Sequence, residues 1–466
     1  MRFGSDLNSF PSLRTSRRLL TLPSTNRGVW KNCPNPETMK NKASQLPPEI
    51  IDFILQNLNN SDLKACTLLS RNCYSRAREW LFYTFKASWS WREVDTLRSV
   101  ASGSEIPLTV LALYVKDLTL TRSGHGRPTA EDVRCLIARL PLLHTLRMSG
   151  FAMQNLSVPP RSLTLSRPLR LLQLSRIRFF LPSPLRHKTY PPDVKIENLP
   201  KCSIIDLLSL FPSIDTLHLD SVHIGILRPH NYKSPFVIAN SDFSNCITPL
   251  FPSFSSLGVK TLIINNPEHF PTLLPLLATS SSIRSVELKF WALGDGQPLL
   301  SALEPQLRNV HLGLPDLKGN ESRYDLSTCT NLTTLHCTGT MRGMTSRDTL
   351  CLLRHVVADP SLKSLSRVII ELRHVELATG GVKRLGRFDW GFIDKHFAAR
   401  QETEEVTIKL GVCPNARTHW YYTDVSKEEL AECMRRKLRR LNARNILNVS
   451  LYEFRKCNVP DSLDLF

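Results

Sequence analysis

The sequence lacks the short motifs that mark common catalytic and metal sites. It contains no P-loop, no G-x-S-x-G, no H-E-x-x-H and no dinucleotide-binding fingerprint. Its twelve cysteines form no C-x-x-C pair and no Cys/His cluster with zinc-finger spacing. We therefore expect a protein that is not an enzyme, holds no metal or cofactor, and keeps free thiols in a reducing compartment, the cytoplasm or the nucleus.

Long apolar runs are also missing, and acidic residues are few. The most apolar stretch, residues 106–115, is too short to cross a membrane, so no membrane association is expected. The formal net charge is +19, which favours acidic partners or nucleic acid. Because the basic excess is spread along the chain, solvated surface charge is the favoured interpretation. A basic nucleic-acid-binding protein remains an alternative.

The first 44 residues are rich in Ser, Pro, Asn and Arg, and no apolar period persists through them. This composition predicts a disordered basic arm over 1–44. An acid-poor, Arg- and Ser-containing N-terminus also has the composition of a mitochondrial transit peptide, which is the alternative for this segment.

Residues 45–85 show three short helical patterns. Pro47 and Pro48 stand where a helix can begin, and an apolar stripe follows at helical spacing. Asn60 or Ser61 is expected to cap the second helix, and the third pattern extends to Phe85. Three helices this short cannot bury all their apolar side chains among themselves. Their surface must meet either the rest of the chain or a partner. The stripe consists of Ile50, Ile51, Ile54, Leu55 and Leu58.

This segment resembles an F-box of the form common in fungal proteins. The resemblance is carried by Leu-Pro-Pro-Glu-Ile at 46–50, Leu-Leu-Ser-Arg at 68–71, and Arg-Ala-Arg followed by Leu-Phe within 76–82. It implies docking to a Skp-type adaptor and, through it, to the cullin of an SCF ubiquitin ligase. A Trp usually stands where Cys73 stands here. By similarity, the motif's core or adaptor contact comprises Leu46, Pro47, Ile50, Ile54, Leu58, Leu63 and Leu69.

A linking helix is expected over 86–107, and a repeat begins at about residue 108. Its unit is a helical pattern, a Pro or Ser break, and a strand of the form L-x-x-L-x-L. The cores that begin at residues 262, 286, 310 and 335 are 24 or 25 residues apart, within the range of leucine-rich repeats. Wider steps predict loop insertions near 180–200 and 225–255. The strand cores are 118–120, 146–148, 172–174, 217–219, 262–264, 286–288, 310–312, 335–337 and 368–370, with a weaker tenth at 406–408.

Strands that alternate with helices and short breaks predict an α/β fold in which right-handed crossovers join parallel strands. Residues 108–383 resemble the degenerate leucine-rich repeats that often follow an F-box, and the resemblance implies a solenoid. An ordinary α/β domain with one parallel sheet is the alternative. Residues 384–466 are expected to form a C-terminal α/β cap, with a helix that Ser426 and Glu429 begin and a closing strand from Asn448.

The middle residue of each L-x-L core is expected to point away from the core. On a solenoid these residues line one surface, which we predict to bind a target protein. His311 and His336 should lie on adjacent strands, roughly 5 Å apart. The predicted row consists of Arg147, Gln173, His218, Ile263, Glu287, His311, His336 and Ile369.

The sequence therefore predicts a substrate receptor of an SCF-type ubiquitin ligase. The F-box-like motif would dock the adaptor, and the repeat region would hold an unknown target protein for ubiquitin-dependent degradation. The alternatives are a repeat-type protein-binding module without ligase docking, which Cys73 favours, and the nucleic-acid-binding protein.

Overall fold

The computed structural model describes much of the chain from residue 46 onward. The described residues are 46–69, 71–89, 113–122, 128–153, 168–181, 203–208, 210–227, 236–237, 258–265, 277, 280–289, 297–314, 324–340, 362–375, 385–386, 388–412 and 426–453. The predicted arm over 1–44, most of the two predicted insertions and most of the predicted linking helix lie outside them.

The described residues form nine α-helices, a 3-10 helix and sixteen strands. The α-helices are α1 Pro48–Gln56, α2 Asn60–Cys66, α3 Arg71–Tyr83, α4 Ala130–Ala138, α5 Ser203–Leu208, α6 Gln297–Leu303, α7 Trp390–Ala398, α8 Lys427–Lys437 and α9 Arg439–Ala443, with a 3-10 helix at Glu304–Gln306. The strands are β1 Thr84–Trp89, β2 Asp117–Arg122, β3 Thr145–Ser149, β4 Ala152–Met153, β5 Leu169–Ser175, β6 Arg178–Leu181, β7 Ser213–Asp220, β8 His223–Leu227, β9 Phe236–Val237, β10 Gly258–Asn265, β11 Ser285–Lys289, β12 Asn309–Gly313, β13 Thr334–Thr340, β14 Arg367–Val375, β15 Glu405–Val412 and β16 Leu447–Glu453.

The chain divides into two compact units, residues 1–77 and 78–466, and the boundary falls within α3. In the first unit, α1 begins directly after Pro47, as expected for a proline that fixes φ and needs no hydrogen bond. The cap of α2 is Asn59, whose side chain accepts hydrogen bonds from the amides of Ser61 and Asp62. The expected caps, Asn60 and Ser61, are wrong by one and two positions.

The second unit is built on a twelve-stranded sheet in which every neighbouring pair is parallel. Its order is β1-β2-β3-β5-β7-β10-β11-β12-β13-β14-β15-β16. The predicted α/β fold with parallel strands is therefore confirmed, and all ten predicted strand cores lie in strands. The expected helix at 86–107 is wrong where it is described, because residues 84–89 form β1, which pairs with β2. The third helix ends at Tyr83, so Phe85 is in β1.

One row of apolar side chains runs through the core from strand to strand. Leu118 pairs with Leu146, and the pairing continues in register through the first residue of every predicted core to Val406. Each of these side chains is at most 1% exposed. Burying one such side chain contributes about 1.5–3 kcal/mol, so the row stabilises the ten strands from β2 to β15.

Several corners after the strands share one backbone conformation. Gly150, Arg176 and Ser221 follow β3, β5 and β7, and each has a positive φ. Their amides donate to carbonyls of the next strand, those of Ser175, Asp220 and Asn265. This turn redirects the chain into the short strands β4, β6 and β8, which with β9 form a second sheet.

The C-terminal residues extend the same large sheet. β15 and β16 are its last two strands, so the expected closing strand from Asn448 is present as β16. The predicted capping boxes are also present, with Thr129 and Asp132 at α4 and Ser426 and Glu429 at α8. On α8 and α9, the predicted apolar side is buried: Leu430, Met434, Leu438 and Leu441.

Candidate functional site

The first unit exposes a group of large apolar side chains, which we call the apolar surface. In α1, Ile50, Phe53 and Ile54 are spaced i, i+3 and i+4, so they share one side of the helix. The members of the surface and their exposed fractions are Leu46 43%, Ile50 46%, Phe53 67%, Ile54 45%, Leu68 87% and Leu69 73%.

Local contacts connect α1, which carries three members of the apolar surface, to α3. Arg76 of α3 forms an ion pair with Asp52 of α1, and its guanidinium also lies 3.4 Å from the Pro48 carbonyl oxygen. Leu55 and Leu63 are buried and Ile51 is partly buried, so the exposed large apolar residues of α1 are Ile50, Phe53 and Ile54.

The seven residues that the F-box resemblance implies are divided by the structure. Leu46, Pro47, Ile50, Ile54 and Leu69 are exposed. Leu58 is partly buried, and Leu63 is only 4% exposed, so Leu63 is a core residue and not part of the apolar surface. Phe53 and Leu68 were not among the predicted contact residues. The i, i+3 spacing of Phe53 from Ile50 could have placed Phe53 on the same side of the helix as Ile50.

On the second unit, the predicted middle residues form one row across the large sheet, which we call the polar row. Arg147 pairs with Gln173, Gln173 with His218, and the pairing continues through Ile263 and Glu287. It reaches His311, His336 and Ile369 in register. All eight predicted members are partly exposed, in contrast to the buried residues on either side of each.

The polar row is most concentrated at His311 and His336. Their rings stack with centroids 3.8 Å apart and planes 7° from parallel. Nδ1 of His311 lies 2.9 Å from Glu287 Oε1, and its Nε2 lies 2.8 Å from Thr338 Oγ1. Because a carboxylate only accepts, Nδ1 of His311 carries a hydrogen.

Glu371 lies at the other end of this histidine pair. Its carboxylate accepts from Tyr452 Oη at 2.6 Å and from Arg373 Nε at 2.6 Å, and it lies 3.1 Å from His336 Nε2. At the opposite end, Lys289 Nζ lies 2.7 Å from Glu287. Two carboxylates therefore enclose the stacked imidazoles, and each also binds a cation.

This arrangement shifts the pKa values of its members. Burial alone would raise the pKa of Glu287, but hydrogen bonds from His311 and Lys289 outweigh it and lower the pKa to about 2. The pKa of Glu371 is also lowered: burial would raise it, but hydrogen bonds from His336, Arg373 and Tyr452 outweigh that effect. Burial and the Glu371 carboxylate raise the pKa of Tyr452 to about 12.

The pKa of His336 is lowered as well, but for a histidine a lowered pKa favours the neutral form. Burial lowers its pKa, the hydrogen bond to Glu371 raises it, and the electrostatic interactions with His311 and Lys409 lower it further. The net result is a lowered pKa, so the folded protein favours a neutral ring at this position.

The remaining members of the polar row make separate local contacts. Arg147 forms an ion pair with Asp117, and the Gln173 amide lies 3.3 Å from Ser175 Oγ. His218 Nε2 lies 2.9 Å from Asn265 Nδ2, and burial lowers the His218 pKa. The row thus has one connected polar cluster, around His311 and His336, and isolated contacts elsewhere.

The described residues contain no group of three or more His, Cys, Asp or Glu side chains placed to hold a metal ion. Among the same residues, no helix has the length and apolar character needed to span a membrane. The site's chemistry is that of a surface with fixed hydrogen-bond donors and acceptors.

Comparison with known proteins assigns no family. No protein-family model matches the chain, and no curated protein matches it. Among solved structures, the chain is similar to a Bacteroides fragilis protein at 10% identity and a TM-score of 0.32, over 80% of this chain and 76% of that one. It is also similar to TLR13 in a complex with ssRNA13, at 15% identity and a TM-score of 0.17. That match covers 73% of this chain and 52%, about half, of the TLR13 chain. At these TM-scores the similarities indicate neither a shared fold family nor a function.

Proposed function

We propose that this protein is a substrate receptor of an SCF-type ubiquitin ligase. Residues 46–85 would dock a Skp-type adaptor, and the large-sheet unit would bind a target protein. The observation that carries the proposal is the apolar surface, because six large apolar side chains are at least 43% exposed within 24 consecutive residues, 46–69. Large exposed apolar patches mark interaction sites in soluble proteins.

The composition of the apolar surface suits a protein partner. Stable complexes bury about 800 Å² on each side, and aromatic and aliphatic anchors in the centre dominate the binding energy. Phe53 and Leu68, the first at 67% and the second at 87% exposure, have the size and accessibility of such anchors. The surface also coincides with the segment that resembles an F-box.

The large-sheet unit supports the second half of the proposal. We infer that its parallel strands, three of which end at a corner residue with positive φ, form a leucine-rich-repeat-like solenoid. In such a fold each unit buries its apolar face only against its neighbours, and a long row of outward side chains is left for recognition. The polar row would supply this target-binding face.

A receptor of this kind needs no catalytic residue of its own. It holds the target close to the ubiquitin carrier, and the rate gain comes from proximity and orientation. The proposal therefore assigns the chemistry to other subunits of the ligase.

Co-purification with a Skp-type adaptor and cullin tests the adaptor-docking half. We expect the wild-type chain to capture the adaptor, and the double variants Leu46→Ala/Pro47→Ala and Phe53→Ala/Leu68→Ala to bind it about tenfold more weakly or worse. Leu142→Ala is the matched control, because Leu142 is also 43% exposed but lies in the other unit. Failure of the folded wild-type chain to capture the adaptor would refute ligase docking and leave a protein-binding module.

A further inference from the structure

The large sheet carries a small pit beside the histidine pair. Two cationic side chains, Lys289 and Arg373, and two hydroxyl side chains, Thr338 and Thr340, line it together with the His311 ring. No carboxylate is among the described residues that line this pit.

A missing side chain creates the pit. Gly313 pairs with Thr338, and both belong to the row of outward residues next to the polar row. Lys289 and Gly313 directly follow Leu288 and Leu312, which are themselves paired. Neighbouring strands are about 4.8 Å apart, so the strands of Lys289 and Thr338 lie roughly 10 Å from each other. Gly313, on the strand between them, places no side chain in that space.

Both cations are held in place by carboxylates that do not line the pit. Glu287 binds Lys289 at 2.7 Å, and Glu371 binds Arg373 at 2.6 Å. Each ion pair limits the conformations open to its long cationic side chain, so less entropy is lost when a ligand binds. Donors fixed in advance around a small opening are suited to an oxyanion.

We propose that this pit binds an anionic group, a carboxylate or a phosphate, on a side chain of a partner protein. The pit opens on the partly exposed face of the sheet, where Lys289, Thr340 and Arg373 are themselves partly exposed. A single projecting side-chain group fits such a small opening better than a cofactor does. The inference concerns the proposed target-binding face, but it does not depend on adaptor docking.

Calorimetric titration of the full chain with inorganic phosphate and, separately, with acetate tests the proposal at constant ionic strength. We expect saturable binding of at least one anion. Binding of phosphate alone would identify a phosphorylated side chain as the occupant, whereas binding of acetate would identify an acidic one. Absence of saturable binding for both anions would overturn the proposal, whatever the adaptor experiment shows.

Three variants assign any binding to the pit. Lys289→Gln keeps a donor for Glu287 but removes the charge, and we expect about tenfold weaker binding. Thr340→Val keeps the side-chain shape and should weaken binding about fivefold. Lys260→Gln is the matched control, because Lys260 is a 70% exposed residue of β10, paired with Asp215, and does not line the pit. Equal losses in Lys289→Gln and the control Lys260→Gln, with no loss in Thr340→Val, would show that the binding depends on overall charge and would also overturn the proposal.

Discussion

His311 and His336 stack face to face on neighbouring strands, with ring centroids 3.8 Å apart. The carboxylates of Glu287 and Glu371 bind the two rings from opposite ends, at 2.9 and 3.1 Å. The Glu371 carboxylate favours the charged form of the His336 ring, whereas burial and the neighbouring His311 ring disfavour it. For His336, burial prevails over the hydrogen bond to Glu371, and its pKa is lowered.

Replacement of His336 by glutamine should reduce the loss of stability in mild acid. The unfolded ring protonates near pH 6.5 and the folded ring only at lower pH, so between these values the unfolded state binds more protons. The folded state therefore loses stability as the pH falls below about 6.5. The contributions of Glu287 and Glu371, whose pKa values are lowered, are lost only below about pH 4.5.

Urea unfolding at several pH values between 7.5 and 5 measures this effect. The free energy of unfolding should fall less steeply with decreasing pH in His336→Gln than in the wild type. Ile369→Val changes the paired residue on the next strand without changing an ionisable group, so its slope should equal that of the wild type. Identical slopes for wild type and His336→Gln would contradict the prediction.

Gly411→Ala should destabilise the end of the sheet. A Cβ at Gly411 would lie 2.8 Å from Tyr452 Oη and 2.9 Å from its Cζ, and both distances are shorter than a Cβ normally makes to another heavy atom. Tyr452 would have to move, and its hydrogen bond to Glu371 would weaken. We expect a loss of about 1–3 kcal/mol in the free energy of unfolding, measured by urea denaturation.

Two comparisons separate this contact from a general effect of alanine. Gly386→Ala should be near neutral, because no heavy atom lies within 4 Å of its added Cβ. In the Tyr452→Ala background, Gly411→Ala should cost much less than in the wild type. Additive losses in the double variant would rule out the contact as the cause.

Ser426→Ala should destabilise α8 by about 1 kcal/mol. Ser426 Oγ accepts from the Glu429 amide at 3.1 Å, and Glu429 accepts from the Ser426 amide at 2.9 Å. Alanine removes one half of this reciprocal cap. Thermal unfolding measures the loss, and Ser426→Asn, which can still cap, should retain most of the stability. Equal losses for both substitutions would argue against a capping role.

The sheet was predictable because its signal is repeated and local. The L-x-L alternation identified residues such as Leu262 and Leu335, and their pairing partners followed from the repeat itself. β1 was missed because Tyr74, Ala77 and Leu81 continue a helical spacing to Phe85, and pairing with β2 overrides that spacing.

Other features depend on information that single-sequence patterns do not contain. The corners at Arg176 and Ser221 have a positive φ, which arginine and serine rarely adopt, so the residue types alone do not predict these corners. The pit depends on Gly313 lying beside Lys289 and Thr338, which requires the register of three strands. The exposure of Phe53 depends on which side of α1 is covered, and helical spacing does not specify that.

Neighbouring residues of β10 should differ sharply in their contribution to stability. Leu262 is fully buried and belongs to the apolar row, whereas Ile263 is a partly exposed member of the polar row. Truncation of Leu262 to alanine leaves a cavity between strands and should cost about 2–5 kcal/mol in the free energy of unfolding. Ile263→Ala removes a similar number of methyl groups from a surface that solvent can refill, so its cost should be less than half as large. Urea denaturation of the two single variants measures the ratio. An equal or larger cost at Ile263 would mean that the two faces of the sheet are assigned the wrong way round, and the proposed target-binding row would have to be abandoned.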